Sequence, residues 1–307
     1  MPAVVTITFS PCIDKNIAVH ELLPDHKLTG SAPELHPGGG GINIARVLQR
    51  FGEQAVAIYP AGGYTGKYLT EMMDSDGISS VVVNSSLATR ENIIISETSS
   101  GRQYRLGTPP IPLSKTETDT LLGKVDRIAS FDFLIVSGSF PPGLESNIMT
   151  QLSAIAVKRK AKFIVDTKGK PMKAAIDAGV FLIKPNLGEL AALTGKQFIA
   201  DNDVEKTATQ VLAGGKCEAI VVSMGERGAA LITADHSERI MAPVVQHKST
   251  VGAGDSMVAG IVAGLLKGLT LSNAVRFGVA CGTAATLQSG SNLCEPIDAY
   301  GILDKIL

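Results

Sequence analysis

The sequence predicts an α/β protein with a doubly wound, mostly parallel sheet, helices on both faces and a small β-sheet lid. Three observations carry that expectation. Short β-branched runs recur between helix-length segments, the runs are almost unbroken in apolar character, and glycine-rich turns stand where several of them end. Strands buried on both faces need no polar alternation, so apolar runs of this length suit a parallel sheet. At 307 residues the chain has the length of one large α/β domain, and no repeat, low-complexity tract or linker divides 1–307.

The elements follow in order. Residues 4–9 form the first strand, and residues 17–35, punctuated by Pro24, Gly30 and Pro33, form extended lid strands inserted before the first helix at 42–50. A strand at 55–59 and a helix at 66–75 come next. Residues 93–97 and 103–106, joined through Ser99, Ser100 and Gly101, make a hairpin within a second insertion at about 92–107 that completes the small sheet. An isolated small sheet is marginal in water, so it should pack on the main body, on a partner, or on both; a lid that also forms a homodimer is expected. Helices at 115–129, 146–159, Leu187–Leu193 and Val204–Ala213 alternate with strands at 133–136, 163–165, 181–183 and 220–222. Two helices, Ala253–Leu266 and 271–287, close the chain. Their small residues, Gly260, Gly264, Gly278 and Gly282 among them, permit either close packing or room for a flat ligand.

Composition narrows the function. Lys+Arg 28 against Asp+Glu 29 gives no excess charge for nucleic acid or an anionic membrane, so any anion site must be local. The densest basic patch, Lys158, Arg159, Lys160 and Lys162, reads as a solvated helix end. Cys12, Cys217, Cys281 and Cys294 are scattered without Cys-x-x-Cys or metal-spaced His, which argues against zinc and disulfides and for a reducing, cytoplasmic setting. The longest apolar runs are too short to span a bilayer, and the amino terminus has no basic leader pattern. Intramembrane aspartyl proteases, another home of Gly-x-Gly-Asp, are thereby excluded. No Gly-x4-Gly-Lys-Ser/Thr, no Gly-x-Gly-x-x-Gly after the first strand and no His-Arg-Asp loop occurs, which excludes the common nucleotide signatures.

Four segments can carry chemistry. Thr250 to Ser256 runs Thr-Val-Gly-Ala-Gly-Asp-Ser and opens a helix. Unpartnered N–H groups at Gly252, Ala253 and Gly254 can cradle an anion, and Asp255 beside them is suited to accept a proton from a hydroxyl attacking a phosphate. A tight turn with an N-capping Asp is the structural alternative. Pro37 to Arg46 holds Gly38, Gly39, Gly40 and Gly41 followed by Asn43, which reads as close approach of backbone to a ligand or as a hinge. Lys184, Asn186 and Glu189 follow the strand at 181–183, where a lysine can reach phosphate and an amide and carboxylate can serve magnesium through water or simply form a capping box. Asp166, Ser223, Gly225 and Gly228 also fall just after strands. In an open α/β sheet the strand carboxyl ends are where ligands bind.

Together these segments resemble the PfkB (ribokinase-like) family of carbohydrate kinases along nearly the whole chain. Residues 37–46 and 249–260 look like its two signatures and 184–189 matches its Asn-x-x-Glu motif. Residues 8–14, 38–43, 89–92, 103–105 and 137–143 are most similar to the sugar-phosphate branch of phosphofructokinases, 1-phosphofructokinases and tagatose-6-phosphate kinases. The resemblance implies ATP-dependent phosphorylation of a hexose phosphate, with Asp255 as general base and the amides of Gly252, Ala253 and Gly254 as anion hole. It implies Asp14, Gly38, Gly39, Asn43 and Ser139 at sugar hydroxyls, with Arg90, Arg105 and Lys27 at the substrate phosphate. Lys184, Asn186, Ser223, Gly225 and Gly228 would contact ATP, and Glu189 with Asn186 and Asp166 would organise Mg2+ through water. Potassium would sit near Ser249, Val251, Ala285, Gln288 and Gly290. Gly40 stands where 1-phosphofructokinases and tagatose-6-phosphate kinases usually carry lysine, which favours fructose 6-phosphate as substrate. Lys27 is followed by Leu28 and Thr29, whereas the phosphofructokinase lid has an arginine two positions beyond its lysine. A kinase for a nucleoside or unphosphorylated sugar, or a non-catalytic sugar-phosphate sensor, are the competing readings.

Overall fold

The computed structural model describes residues 2–144 and 147–306. Its strands are β1 Val4–Ile7, β2 Cys12–Val19, β3 Glu34–Gly38, β4 Ala55–Ala61, β5 Ser79–Asn84, β6 Arg90–Glu97, β7 Gln103–Leu106, β8 Phe133–Ser137, β9 Lys162–Asp166, β10 Val180–Ile183, β11 Cys217–Ser223, β12 Ala229–Thr233 and β13 Ser237–Ile240. Its helices are α1 Gly40–Arg50, α2 Gly63–Ser75, α3 Lys115–Arg127, α4 Ile148–Arg159, α5 Lys170–Ala178, α6 Leu187–Leu193, α7 Val204–Ala213, α8 Ala253–Leu266, α9 Leu271–Thr286 and α10 Pro296–Leu303. The main sheet runs β13-β12-β11-β10-β9-β8-β1-β4-β5, parallel from β5 through β11 and antiparallel at β12 and β13.

Period-two alternation along the strands makes the winding double. Val4 points into one core with residues of α1, α2, α8, α9 and α10, while Val5 and Ile7 point into a second core with residues of α3 to α7. β1 has β4 on one side and β8 on the other, so the chain reverses direction of winding there. A crevice at the carboxyl ends of the strands follows at this point.

Close packing is what the small residues of the last helices provide. A Cβ on Gly260 would lie 2.6 Å from Cys281 Sγ, and one on Gly278 would lie 2.5 Å from Ile261 Cγ1. The glycines of α1 have the same origin: a Cβ on Gly40 would lie 2.1 Å from Ser137 Oγ, and one on Gly41 2.6 Å from the carbonyl of Ile7. The helix start is thus pressed onto the ends of β1 and β8, and the hydroxyl of Thr8 accepts the Ile42 N–H at 2.9 Å. Close approach is real there, but to the protein's own strands.

The small sheet is β3-β2-β6-β7, with β2 and β3 antiparallel, β2 and β6 parallel, and β6 and β7 forming the expected hairpin. Its first insertion differs from the expected strands at 17–35. The strands lie at the edges, Cys12–Val19 and Glu34–Gly38, and residues 20–33 between them are exposed, Leu22 excepted, and carry no regular structure apart from a turn at Pro24 and Asp25. Pro24, Pro33 and the left-handed Asp25 interrupt the ladder that the alternating pattern suggested. Five further elements escape the sequence pattern. β5 lies at a half-exposed sheet edge, β12 and β13 form a hairpin after Gly228, and α5 and α10 are short helices with proline in their first turn. Ser146, the expected first residue of the helix that became α4, lies outside the described residues. No helix of the described residues is long and apolar enough to cross a membrane.

Candidate active site

α8 is capped by Gly252, whose left-handed backbone (φ 73°) is one that glycine adopts without penalty. The first intrahelical donor is Ser256, bonded to the Gly252 carbonyl at 2.8 Å, so the amides ahead of it are free of helix partners and aim along the axis. Ala253, Gly254 and Asp255 occupy that first turn. The Nζ of Lys184 lies 3.3 Å from where a Cβ on Gly254 would stand, which sets a buried cation against the same helix start. An anion placed there would meet aligned amides, the helix dipole and an ammonium together.

Asp255 is the carboxylate of this turn. Its Oδ2 accepts a hydrogen bond from Asn43 Nδ2 at 2.8 Å, and the Ser137 hydroxyl lies 3.4 Å from its Oδ1. It keeps some contact with solvent yet sits deep among protein atoms, and that burial pushes its pKa up to about 6. The negative charge of Asp166 adds to the rise, while Asn43, Lys184 and Ser137 oppose it. A group with such a pKa is poised for proton transfer near neutrality.

Asp166, at the end of β9, holds Lys184 Nζ at 3.2 Å. Burial alone would lower the Lys184 pKa, but Asp166, Glu189 and Asp255 outweigh it and the net shift is upward, so the ammonium is kept. Asn186 and Glu189 form a reciprocal capping box on α6: Asn186 Oδ1 accepts the Glu189 N–H at 2.9 Å and Glu189 Oε2 accepts the Asn186 N–H at 2.9 Å. The capping box is therefore formed, and the Asn186 amide oxygen expected at magnesium accepts one backbone hydrogen bond, which leaves it a second lone pair. Burial raises the Glu189 pKa against that backbone hydrogen bond. Among the described residues no group of three or more His, Cys, Asp or Glu could hold a metal ion. One or two carboxylates with water and phosphate oxygens is the usual magnesium arrangement, and Asp166 and Glu189 fit it. Ser223, at the end of β11, donates its N–H to the Pro185 carbonyl at 2.9 Å, and Gly225 (φ 65°) and Gly228 shape the turn beyond it.

On the small sheet, Asp14 is buried and its Oδ1 accepts from Asn92 Nδ2 at 2.9 Å and from the Cys12 thiol at 3.3 Å. Burial, then the charge of Asp14, holds Cys12 well above its ordinary range, so it stays a thiol donor. Gly38 lies against Asp14, where a Cβ would stand 2.6 Å from Oδ2. Arg90 gives Nη1 to Asn92 Oδ1 (3.1 Å) and the Thr108 carbonyl (2.7 Å), and Nη2 to the Ser10 carbonyl (3.2 Å). Its Nε is buried and has no acceptor among the described residues. Arg105 reaches from β7 to Thr250 Oγ1 at 2.9 Å, joining the lid to the loop before α8.

Gly39 caps α1 and Ser139 sits half-buried after β8, both at the crevice. Lys27 is not brought to these groups; it lies exposed between β2 and β3. Behind the start of α8, the Ser249 hydroxyl donates to the Gly290 carbonyl at 2.7 Å and accepts the Val251 N–H at 3.2 Å, while the Ala285 carbonyl accepts the Gln288 N–H at 3.2 Å. Each of those carbonyls has a lone pair to spare, which suits a monovalent cation, but the Gln288 amide nitrogen is turned to Asp298. Ser137 contacts Asp255, and Cys12 and Asn92 contact Asp14, three partners that the sequence alone does not single out. The alternation of Cys12 with Asp14 and Arg90 with Asn92 was the available signal, since each pair shares one strand face.

Open amides at a helix start, a carboxylate of raised pKa and a buried ammonium at the edge of a parallel sheet are the features of a small-molecule phosphotransferase. The family model described as "pfkB family carbohydrate kinase" matches residues 5–298. The chain is 38% identical to ATP-dependent 6-phosphofructokinase isozyme 2 of Escherichia coli over 98% of both chains, and 32% identical to 1-phosphofructokinase of Borreliella burgdorferi over 98% of this chain and 96% of that one. Structures of Escherichia coli phosphofructokinase-2 in complex with potassium, and in complex with substrates and products, each superpose with TM-score 0.93 at 37% identity over 99% of both chains. A tetrameric inhibited form of that enzyme superposes with TM-score 0.92 at 37% identity over 99% of both chains. The chain belongs to the pfkB family of carbohydrate kinases.

Proposed function

We propose that the protein transfers the γ-phosphoryl group of ATP to the free terminal hydroxyl of a hexose phosphate, converting fructose 6-phosphate to fructose 1,6-bisphosphate. The observation that carries this reading is the setting of Asp255, a carboxylate with pKa near 6 held by Asn43 beside the open amides of α8 and the ammonium of Lys184. Asp255 takes the proton of the acceptor hydroxyl as its oxygen bonds to the γ-phosphorus. The bond to the bridging oxygen breaks and ADP departs with that electron pair, while the amides of Gly252, Ala253 and Gly254 hold the equatorial charge.

Asp14, Gly38, Gly39, Asn43 and Ser139 would orient the sugar, and Arg90 and Arg105 would grip its phosphate. Lys184, Ser223, Gly225 and Gly228 would hold the nucleotide. Mg2+ would be organised by Asp166 and the free oxygen of Glu189 through water and would neutralise phosphate charge. Potassium would sit by the carbonyls near Ser249, Val251, Ala285 and Gly290, with Gln288 contributing its backbone, and would fix the loop behind the anion hole. The exposed Ile93 and Leu106 of the small sheet and Leu28 of the segment between β2 and β3 support association of two lids, with Lys27 beside Leu28 on that segment. The reading as a 1-phosphofructokinase is supported by the Borreliella relative. A coupled assay with ATP and a panel of fructose 6-phosphate, fructose 1-phosphate, tagatose 6-phosphate and fructose decides between them. Turnover fastest on fructose 6-phosphate is expected, and no turnover of any hexose phosphate overturns the proposal.

A further inference from the structure

The parallel pairing of β2 with β6 sets Cys12 opposite Arg90 and Asp14 opposite Asn92. Asn92 stands between the charged Asp14 and Arg90 and uses both ends of its amide. Its Nδ2 donates to Asp14 Oδ1 at 2.9 Å and to Cys12 Sγ at 3.1 Å, while its Oδ1 accepts from Arg90 Nη1 at 3.1 Å and from the Thr108 N–H at 3.2 Å. A neutral amide alone offers a donor to the anion and an acceptor to the cation at this spacing; a carboxylate would repel Asp14, and an aliphatic group would serve neither. The consequence is directional. Asp14 is held by its Oδ1, leaving Oδ2 beside Gly38, and Arg90 is held by Nη1, leaving Nε without an acceptor.

We propose that Asn92 is the positioning residue that fixes the separation of the Asp14 carboxylate from the Arg90 guanidinium, and so makes the site select a phosphorylated over an unphosphorylated sugar. The inference rests on the proposed function, because it takes Asp14 as the hydroxyl acceptor and Arg90 as the phosphate fork. A rigid bidentate arginine is specific only when its plane is fixed, and Asn92 with the Thr108 and Ser10 carbonyls fixes it.

The test is steady-state kinetics on the full-length protein with ATP and either fructose 6-phosphate or fructose. For Asn92→Ala and Asn92→Asp, KM for fructose 6-phosphate should rise about 10- to 100-fold, with kcat and KM for ATP within about threefold of wild type. The preference for fructose 6-phosphate over fructose should fall by a similar factor. In an Arg90→Ala background the Asn92→Ala effect should shrink to about threefold or less, because the two residues act as one unit. A sugar-phosphate KM within about twofold of wild type, a parallel rise in KM for ATP, or an unchanged effect without Arg90 overturns the proposal. Should Asn92→Ala prove insoluble, Asn92→Leu, which keeps the volume and adds no charge, carries the same comparison. A wild-type protein that phosphorylates no hexose phosphate contradicts the proposed function instead.

Discussion

Asn43 and Asp255 are 212 positions apart in sequence, yet the amide of Asn43 donates a 2.8 Å hydrogen bond to the Asp255 carboxylate. α1 and α8 each begin at the carboxyl edge of the sheet, and this bond ties their first turns together across the crevice. It also opposes the pKa rise that burial and Asp166 impose on Asp255.

A pH dependence follows with a defined sign. Only ionised Asp255 can accept a proton, so kcat/KM should fall as pH drops through about 6. Replacing Asn43 removes a contact that favours the charged form, so Asn43→Ala should move this acid limb to higher pH. A limb that stays in place across pH 5–8, measured with saturating ATP and magnesium, would count against the assignment.

Stability should respond to the same carboxylate in the opposite direction. The folded pKa lies above the ordinary aspartate value of 3.8, so ionising Asp255 penalises the folded state fully above about pH 6 and not at all below about pH 4. Asp255→Asn should therefore be more stable than wild type at pH 7.5, by on the order of 1–2 kcal/mol once residual solvent contact is allowed for. The advantage should vanish at acid pH. Denaturant unfolding of both proteins at pH 7.5 and pH 4 measures it.

Glu189 separates two roles that its position combines. Glu189→Gln retains an oxygen for the Asn186 N–H but loses the charge, so the melting temperature should hold while the magnesium concentration for half-maximal rate rises several-fold. Glu189→Ala should in addition lose about 1 kcal/mol of stability with the cap. An unchanged magnesium requirement in Glu189→Gln would restrict the residue to capping.

The fold was legible where the pattern was strong and local. Unbroken apolar runs marked the parallel strands because both their faces are covered, as Val4 and Val5 illustrate by entering different cores. The half-exposed β5 and the β12–β13 hairpin lacked that signal, and the irregular stretch 20–33 imitated strand alternation while making only isolated hydrogen bonds to the small sheet, such as Ser31 N–H to the Ala18 carbonyl. In the site, the first turn of α8 was legible because Gly-x-Gly-Asp constrains backbone and charge together. The Asp14–Asn92 contact was not, because it depends on which strand pairs with β2. Composition says nothing about a partner 78 residues away.

The rate of phosphoryl transfer in Asp255→Asn, measured in a single turnover with fructose 6-phosphate and ATP, probes the proposed role of Asp255 most directly. Loss of about 10²–10⁴-fold or more, with ATP binding retained, is expected of a general base removed from an otherwise intact site. A rate within about tenfold of wild type would contradict it.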